Sequence, residues 1–124
     1  MEAKEVLVDT SSILFGFANK RNVFEALEEA MPGYAQVISL GVVREIEKFA
    51  NSRMKTRPGA AAALAYVTES DLHIDNSSEH VDSWIEKRAE ARGSAVCTND
   101  IKLKRSLRSA GVRTVSIARG GKVR

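Results

Sequence analysis

Short apolar runs recur along this chain, each followed by a segment with helical spacing, and that alternation restricts the fold more than any other feature. "KEVLVDT" (4–10) is a β-branched run with the signature of a buried strand. "SSILFGFANK" after it and "NVFEALEEAMPG" (22–33) read as helices. In the second, Val23, Ala26, Leu27 and Ala30 repeat at helical spacing, Asn22 is placed to cap and Pro-Gly ends the run. "YAQVISL" (34–40) reads as a strand, and "GVVREIEKFANS" (41–52) as a helix with Val42, Val43, Ile46, Phe49 and Ala50 on one face. "SRMKTRPG" (52–59) is a basic turn or loop, "AAAALAYVTES" (60–70) a helix by its alanines, and "LHID" (72–75) a short strand. "SSEHVDSWIEKRAEARG" (77–93) predicts a helix with serine caps, an acidic start, a cationic end and Gly93 as its stop. The pattern closes with a strand "SAVCT", a helix "NDIKLKRSLRSAG" stopped by Gly111, and a strand "VRTVSI".

Strands alternating with helices predict an α/β fold, a three-layer α/β/α sandwich around a mostly parallel sheet. The 124 residues suit one domain, 1–118, followed by a basic C-terminal tail, 119–124. No apolar run reaches the roughly 18–20 residues that span a bilayer, and "MEAKEVLVDT" has neither an apolar h-region nor a cleavage site. The single cysteine, Cys97, excludes an intramolecular disulfide framework and fits a reducing compartment. The expectation is a cytoplasmic protein with no membrane association. Its net charge of +3 is unevenly spread: residues 85–124 hold 11 Lys/Arg against 3 Asp/Glu, and residues 1–84 hold 8 against 13. A basic C-terminal third is the footprint of a polyanion-binding protein or of a solvated charged surface.

In parallel α/β sheets, ligands bind outside the carboxyl ends of the strands at a topological switch point. Asp9 and Asp100 each lie just past an apolar strand, so they converge if their strands are neighbours. Glu45, one turn into its helix, and Asp82, near the start of another, can reach the same place. Each acid also has an ordinary use: Asp9, Asp82 and Asp100 near helix starts, Glu45 paired with Arg44 or Lys48. Taken together, carboxylates without a basic partner raise one another's pKa. Hard divalent cations relieve that repulsion, and Mg²⁺ or Mn²⁺ prefers oxygen ligands. Two such metals at one site bind a phosphodiester, activate water and stabilise the departing oxygen.

"VLVDTS", "VISLGVVREIEKF", "VDSWIEKRAEARG" and "AVCTNDIKLKRSLRSAGVRTV" together resemble a PIN domain across nearly the whole chain, and "TND" after an apolar strand is the most specific piece. The resemblance implies a Mg²⁺- or Mn²⁺-dependent endoribonuclease acting on RNA. It makes Asp9, Glu45, Asp82 and Asp100 the catalytic, metal-binding acids, with Ser11, Thr98 and Asn99 supporting them through hydrogen bonds. Two branches of the family are candidates. One comprises single-domain nucleases related to small-subunit rRNA-processing enzymes, to which "GVRTVSIARGGKVR" and "KLKRSL" are more similar, and the other comprises VapC-like toxins. A ribosome-assembly partner would accompany the first and an antitoxin the second. The chain departs from the family at Ser11, where an amide is common, and at Lys102, where many relatives carry an acid. The second change leaves one-metal and two-metal sites open, and keeps a catalytically weak RNA-binding subunit as an alternative.

On the helix after Asp100, Leu103 and Leu107 share a face, which turns Lys104, Arg105 and Arg108 outward. With Lys102 they form one candidate RNA-binding surface, and Arg53, Lys55 and Arg57 form a second. Trp84, Phe15, Phe17, Phe24 and Phe49 read as packing, Cys97 as inert core, and His73 and His80 lack metal-site spacing. "SSILFGF" and "AAAALAYV" are the faces on which a homodimer would form.

Overall fold

The computed structural model describes residues 4–52 and 58–124; the basic stretch with Arg53, Lys55 and Arg57 lies outside them. Val6, Leu7 and Val8 have no solvent exposure because their strand, β1 (Glu5–Val8), is the middle one of five. The others are β2 (Ala35–Ser39), β3 (His73–Asp75), β4 (Ala95–Cys97) and β5 (Thr114–Val115), in the spatial order β3-β2-β1-β4-β5. Every named pairing is parallel, with Leu7 opposite Val37 on one side and Val96 on the other. A strand flanked this way and covered on both faces is apolar past its first residue, which is why the run "VLV" is uninterrupted.

Parallel pairing requires a crossover after each strand. The helices that make these crossovers are α1 (Thr10–Ala18), α2 (Val23–Ala30), α3 (Leu40–Ala50), α4 (Ala60–Glu69), α5 (Val81–Arg92) and α6 (Ile101–Ser109). The chain steps from β1 through β2 to β3 in one direction, then returns past β1 to β4 and β5. Right-handed crossovers therefore place α1 to α4 on one face and α5 and α6 on the other, the expected three layers. Contacts among α1, α2, α3 and α4 agree with a shared layer. Phe24, Leu27, Val42, Ile46, Ala63 and Val67 fill the first side of the core, and Val81, Trp84, Ile85, Ala89, Leu103 and Leu107 the second. Trp84 is core, as its spacing predicts, and its indole Nε1 donates to Asp75 Oδ2 at 2.7 Å.

Local chemistry sets the element ends. Asn22 Oδ1 caps α2 by accepting from the amides of Phe24 and Glu25, at 2.9 and 3.3 Å. The predicted start of α5 is corrected by four residues. Neither Ser77 nor Ser78 caps it; the helix begins at Val81, and Ser77 Oγ instead accepts from the Glu79 amide at 3.2 Å. The intervening segment crosses the sheet's upper edge against the first turn of α3, where the Gly41 amide donates to the Ser77 carbonyl at 3.1 Å. A Cβ at Gly41 would lie 2.9 Å from the Glu79 carbonyl oxygen, so glycine permits this approach. At the chain's end, residues 116–124 fold back on themselves, with Ile117 and Val123 in an antiparallel bridge. No helix among the described residues is long and apolar enough to cross a membrane.

Ile85 has no exposure and joins α5 to the sheet. Ile85→Ala is expected to lower unfolding free energy by about 2–5 kcal/mol in a urea titration, the range for emptying such a site.

Candidate active site

The strand-order reversal lies at β1, with β2 on one side and β4 on the other. Asp9 follows β1 directly, and Asp100 follows β4 by the short turn Thr98-Asn99. Because β1 and β4 pair, with Val8 opposite Cys97, the two acids emerge side by side. Glu45 arrives from the second turn of α3, and Asp82 from the start of α5, held near α3 by the Gly41–Ser77 crossing. All four acids line a single cleft of about 590 Å³. Its other described walls include Thr10, Ser11, His80 and Asn99, with Leu14, Phe15 and Phe49 on the apolar side; no Lys or Arg is among them.

Asp9 is 5% exposed, so water cannot solvate its charge. Two hydroxyls offset part of that loss: Ser11 Oγ and Thr98 Oγ1 each donate to Asp9 Oδ2 at 2.7 Å. Thr98 Oγ1 also accepts from the Asp100 amide at 3.1 Å, and Ser11 Oγ from the Asn99 amide at 3.0 Å. Ser11 therefore ties the loop after β1 to the loop after β4. Asp9 occupies the N-cap position of α1 but makes no side-chain capping bond.

Glu45 is exposed and Asp82 half-buried. Thr10 Oγ1 donates to Glu45 Oε1 at 2.6 Å, and this bond stands where a surface pairing with Arg44 or Lys48 was the alternative. Thr10 carried no signal in the sequence beyond sitting between Asp9 and Ser11. Asp100 Oδ1 accepts from the Leu103 amide at 3.1 Å and so caps α6 while lining the cleft. Glu45 and Asp100 are each anchored through one oxygen and keep the other.

Burial pushes the Asp9 carboxyl above its ordinary pKa; the Ser11 and Thr98 hydroxyls work against this, and the charge of Asp82 adds to it. Asp82 is likewise raised, first by burial and then, against the pull of His80, by the charges of Asp100, Glu45 and Glu86. Asp82 is thus the acid through which the charges of the cleft are coupled. The four carboxylates, oxygen donors with no Lys or Arg among the described lining residues, fit a hard divalent ion such as Mg²⁺ or Mn²⁺. Among the described residues no three His, Cys, Asp or Glu side chains already stand in a metal-holding arrangement. The exposed carboxylates of Glu45 and Asp100 have the freedom to close on one.

Asn99 lines the cleft, but its side chain turns away to the C-terminal segment, donating to the Ile117 carbonyl and accepting from the Ile117 amide at 2.9 and 3.0 Å. The α6 cations divide. Lys102, Arg105 and Arg108 are exposed and Lys104 half-buried; Lys104 Nζ donates to Ser116 Oγ at 2.7 Å and Arg108 Nε to Thr114 Oγ1 at 2.9 Å. Phe15 and Phe49, read from sequence as packing, are half-buried and also wall the cleft. Cys97 has no exposure and its thiol is pushed up to about 12, first by burial.

A family model described as a PIN like domain matches residues 6–120. Ribonuclease VapC9 of Archaeoglobus fulgidus is 33% identical over 108 residues, covering 86% of this chain and 77% of that protein. The solved structure of the PIN domain endonuclease Utp24 superposes with a TM-score of 0.77 at 26% identity, covering 97% of this chain and 89% of the other.

Two outcomes follow from the electrostatics. A carboxyl raised by folding favours the fold at pH values below its unfolded pKa, and that advantage is lost as pH rises through the folded value. Asp82→Asn is therefore expected to raise the thermal midpoint of metal-free protein by a few degrees at pH 7 and to make little difference near pH 4. Calorimetry across that range checks the sign. The Cys97 thiol is expected to react with a disulfide reagent at neutral pH only when the protein unfolds, read as absorbance with and without denaturant.

Proposed function

This chain belongs to the PIN-like domain family, and from that premise we propose that it is a divalent-metal-dependent endoribonuclease that hydrolyses RNA phosphodiester bonds, in RNA processing of the ribosomal kind. The observation that carries this reading is the gathering of Asp9, Glu45, Asp82 and Asp100 in one cleft with no Lys or Arg among its described lining residues. Such a cluster is costly for a merely structural purpose, because burial and mutual repulsion oppose ionisation of Asp9 and Asp82. A cation that offsets the repulsion and an anionic substrate give it a use.

The chemistry supplied by bound Mg²⁺ or Mn²⁺ is charge neutralisation at the scissile phosphate and activation of water. The chain's own residues do the rest. Ser11 and Thr98 hold the Asp9 carboxylate in one orientation through Oδ2. Thr10 and the α6 amide of Leu103 do the same for Glu45 and Asp100. Glu45 or Asp82, of which the second has the raised affinity for a proton, accepts the proton of the attacking water. Lys102, exposed in the first turn of α6 beside Asp100, places a positive charge near the phosphate. Phe15 and Phe49 offer an apolar wall against which an unpaired base can lie, which supports single-stranded RNA as the substrate.

The VapC-like reading has its own support in the 33% identity to Ribonuclease VapC9. The processing reading is supported by the likeness of "GVRTVSIARGGKVR" and "KLKRSL" to the other branch. Affinity purification separates them, since a small antitoxin marks a toxin and ribosomal particles mark a processing factor.

The deciding experiment is cleavage of mixed structured and single-stranded RNA in Mn²⁺, Mg²⁺ or EDTA. Cutting is expected with either metal, none in EDTA, and none above background for Asp100→Asn or Asp9→Asn. Thr98→Val, which removes one donor to Asp9, is expected to lower the rate about 10–100-fold, as loss of a ligand's hydrogen-bond partner does. Binding without cutting by wild type favours the RNA-binding-subunit reading, and equal cutting by the Asp100→Asn protein rules out this cleft as the site.

A further inference from the structure

The cleft is joined to a part of the chain that the acid motifs do not touch. Asn99 grips the backbone of Ile117 with both ends of its amide, at 2.9 and 3.0 Å. Ser116 Oγ donates to the Thr98 carbonyl at 2.7 Å and accepts from Lys104 Nζ at 2.7 Å. Ile117 is 1% exposed and lies against Gly16 of α1. Past this anchor the chain reverses. The Ala118 amide donates to the Lys122 carbonyl at 2.7 Å, and Ser116 and Arg124 exchange both backbone bonds, at 3.1 and 2.9 Å. Residues 116–124 are thus a fixed return rather than a loose tail, seated on the loop that carries Asp100.

The charge on this return is of one sign. Arg119, Lys122 and Arg124 are exposed, and the Arg21 side chain lies against the turn at Gly121. Among the described residues none of these four cations has an acidic partner. Residues 100–124 hold eight Lys/Arg, and their single acid is Asp100 itself. Unopposed cations repel one another, and a polyanion relieves that repulsion. The adjoining cleft has the opposite problem, since its carboxylates repel a phosphodiester. A strand held on the return by its phosphates therefore gains the attraction that the cleft alone does not provide.

We propose that the C-terminal return is a phosphate-binding ledge for the RNA strand as it enters or leaves the cleft, held in register with Asp100 by the Asn99 grip on Ile117. The ledge rests on the nuclease reading in one respect: the strand on it is the strand in the cleft. Contacts to phosphates fix the path of a strand without reading its sequence.

The probe is a labelled single-stranded RNA, with binding measured in EDTA across a salt titration. The test variant is Arg119→Gln/Lys122→Gln/Arg124→Gln, all at exposed positions. The control is Lys4→Gln/Arg113→Gln, also exposed but at the N-terminal ends of β1 and β5, away from the cleft. The triple variant is expected to bind about tenfold or more weakly and to flatten the slope of log K against log salt by about 2, at roughly 0.7 per single-strand phosphate contact. The control is expected to keep the wild-type slope. A triple variant with wild-type slope, equal loss per charge in the control, or no binding by wild type overturns the ledge. Cleavage of the same RNA in Mn²⁺ is scored separately. Binding lost in the triple variant alongside a wild type that never cuts supports the ledge and overturns the nuclease reading. Wild-type cutting with KM unchanged in the triple variant overturns the ledge and leaves the nuclease standing.

Discussion

A buried carboxylate at the mouth of the central strand is the constraint to which the rest of this protein is fitted. β1 is covered on both faces and both edges, so the residue that follows it emerges from the deepest part of the sheet. A charge there loses most of its hydration and needs donors close by. Ser11 and Thr98 supply them from two different loops, those after β1 and β4. The pairing of β1 with β4 is therefore at once the reversal point of the topology and the support of Asp9.

The chain handles its acids in two contrasting ways. Glu5, at the start of β1, sits among Arg88, Ser94 and Arg92. Although burial works against its ionisation, the Arg88 and Ser94 hydrogen bonds and the nearby cations hold its carboxyl below the ordinary value. At the other end of the same strand Asp9 has hydroxyl donors and, among the described residues, no ion pair, and its carboxyl is raised. Lys104 and Arg108 are near in sequence to Asp100, yet they are bonded to Ser116 and Thr114. One end of the sheet is electrostatically closed and the other is left open to a ligand of positive charge.

Much of this was legible in the residues. The strand–helix alternation, the Asn22 cap, the Gly111 stop and the apolar faces of α3 and α5 follow from periodicity, and the structure has them. Asp9 and Asp100 share a cleft because residues that follow paired parallel strands emerge together at a switch point, and the motif around "TND" carries that context. The start of α5 was not legible, because two serines before an apolar run look the same whether they cap a helix or cross a sheet edge. That Lys104 and Arg108 are bonded within the fold was also hidden, since helical spacing does not reveal that Ser116 and Thr114 lie within reach.

The sequence by itself determined the order of the elements and the family, and pointed to the acids that meet in one cleft, because those depend on local periodicity and on short motifs. Tertiary structure alone decided that Thr10 holds Glu45, that Gly41 lets the segment before α5 pass close to α3, and that Asn99 grips Ile117 rather than a ligand of the cleft. Each of these joins residues far apart in the chain. A side chain's spare donor or acceptor carries no trace, in its own neighbourhood of sequence, of the partner that folding will bring to it.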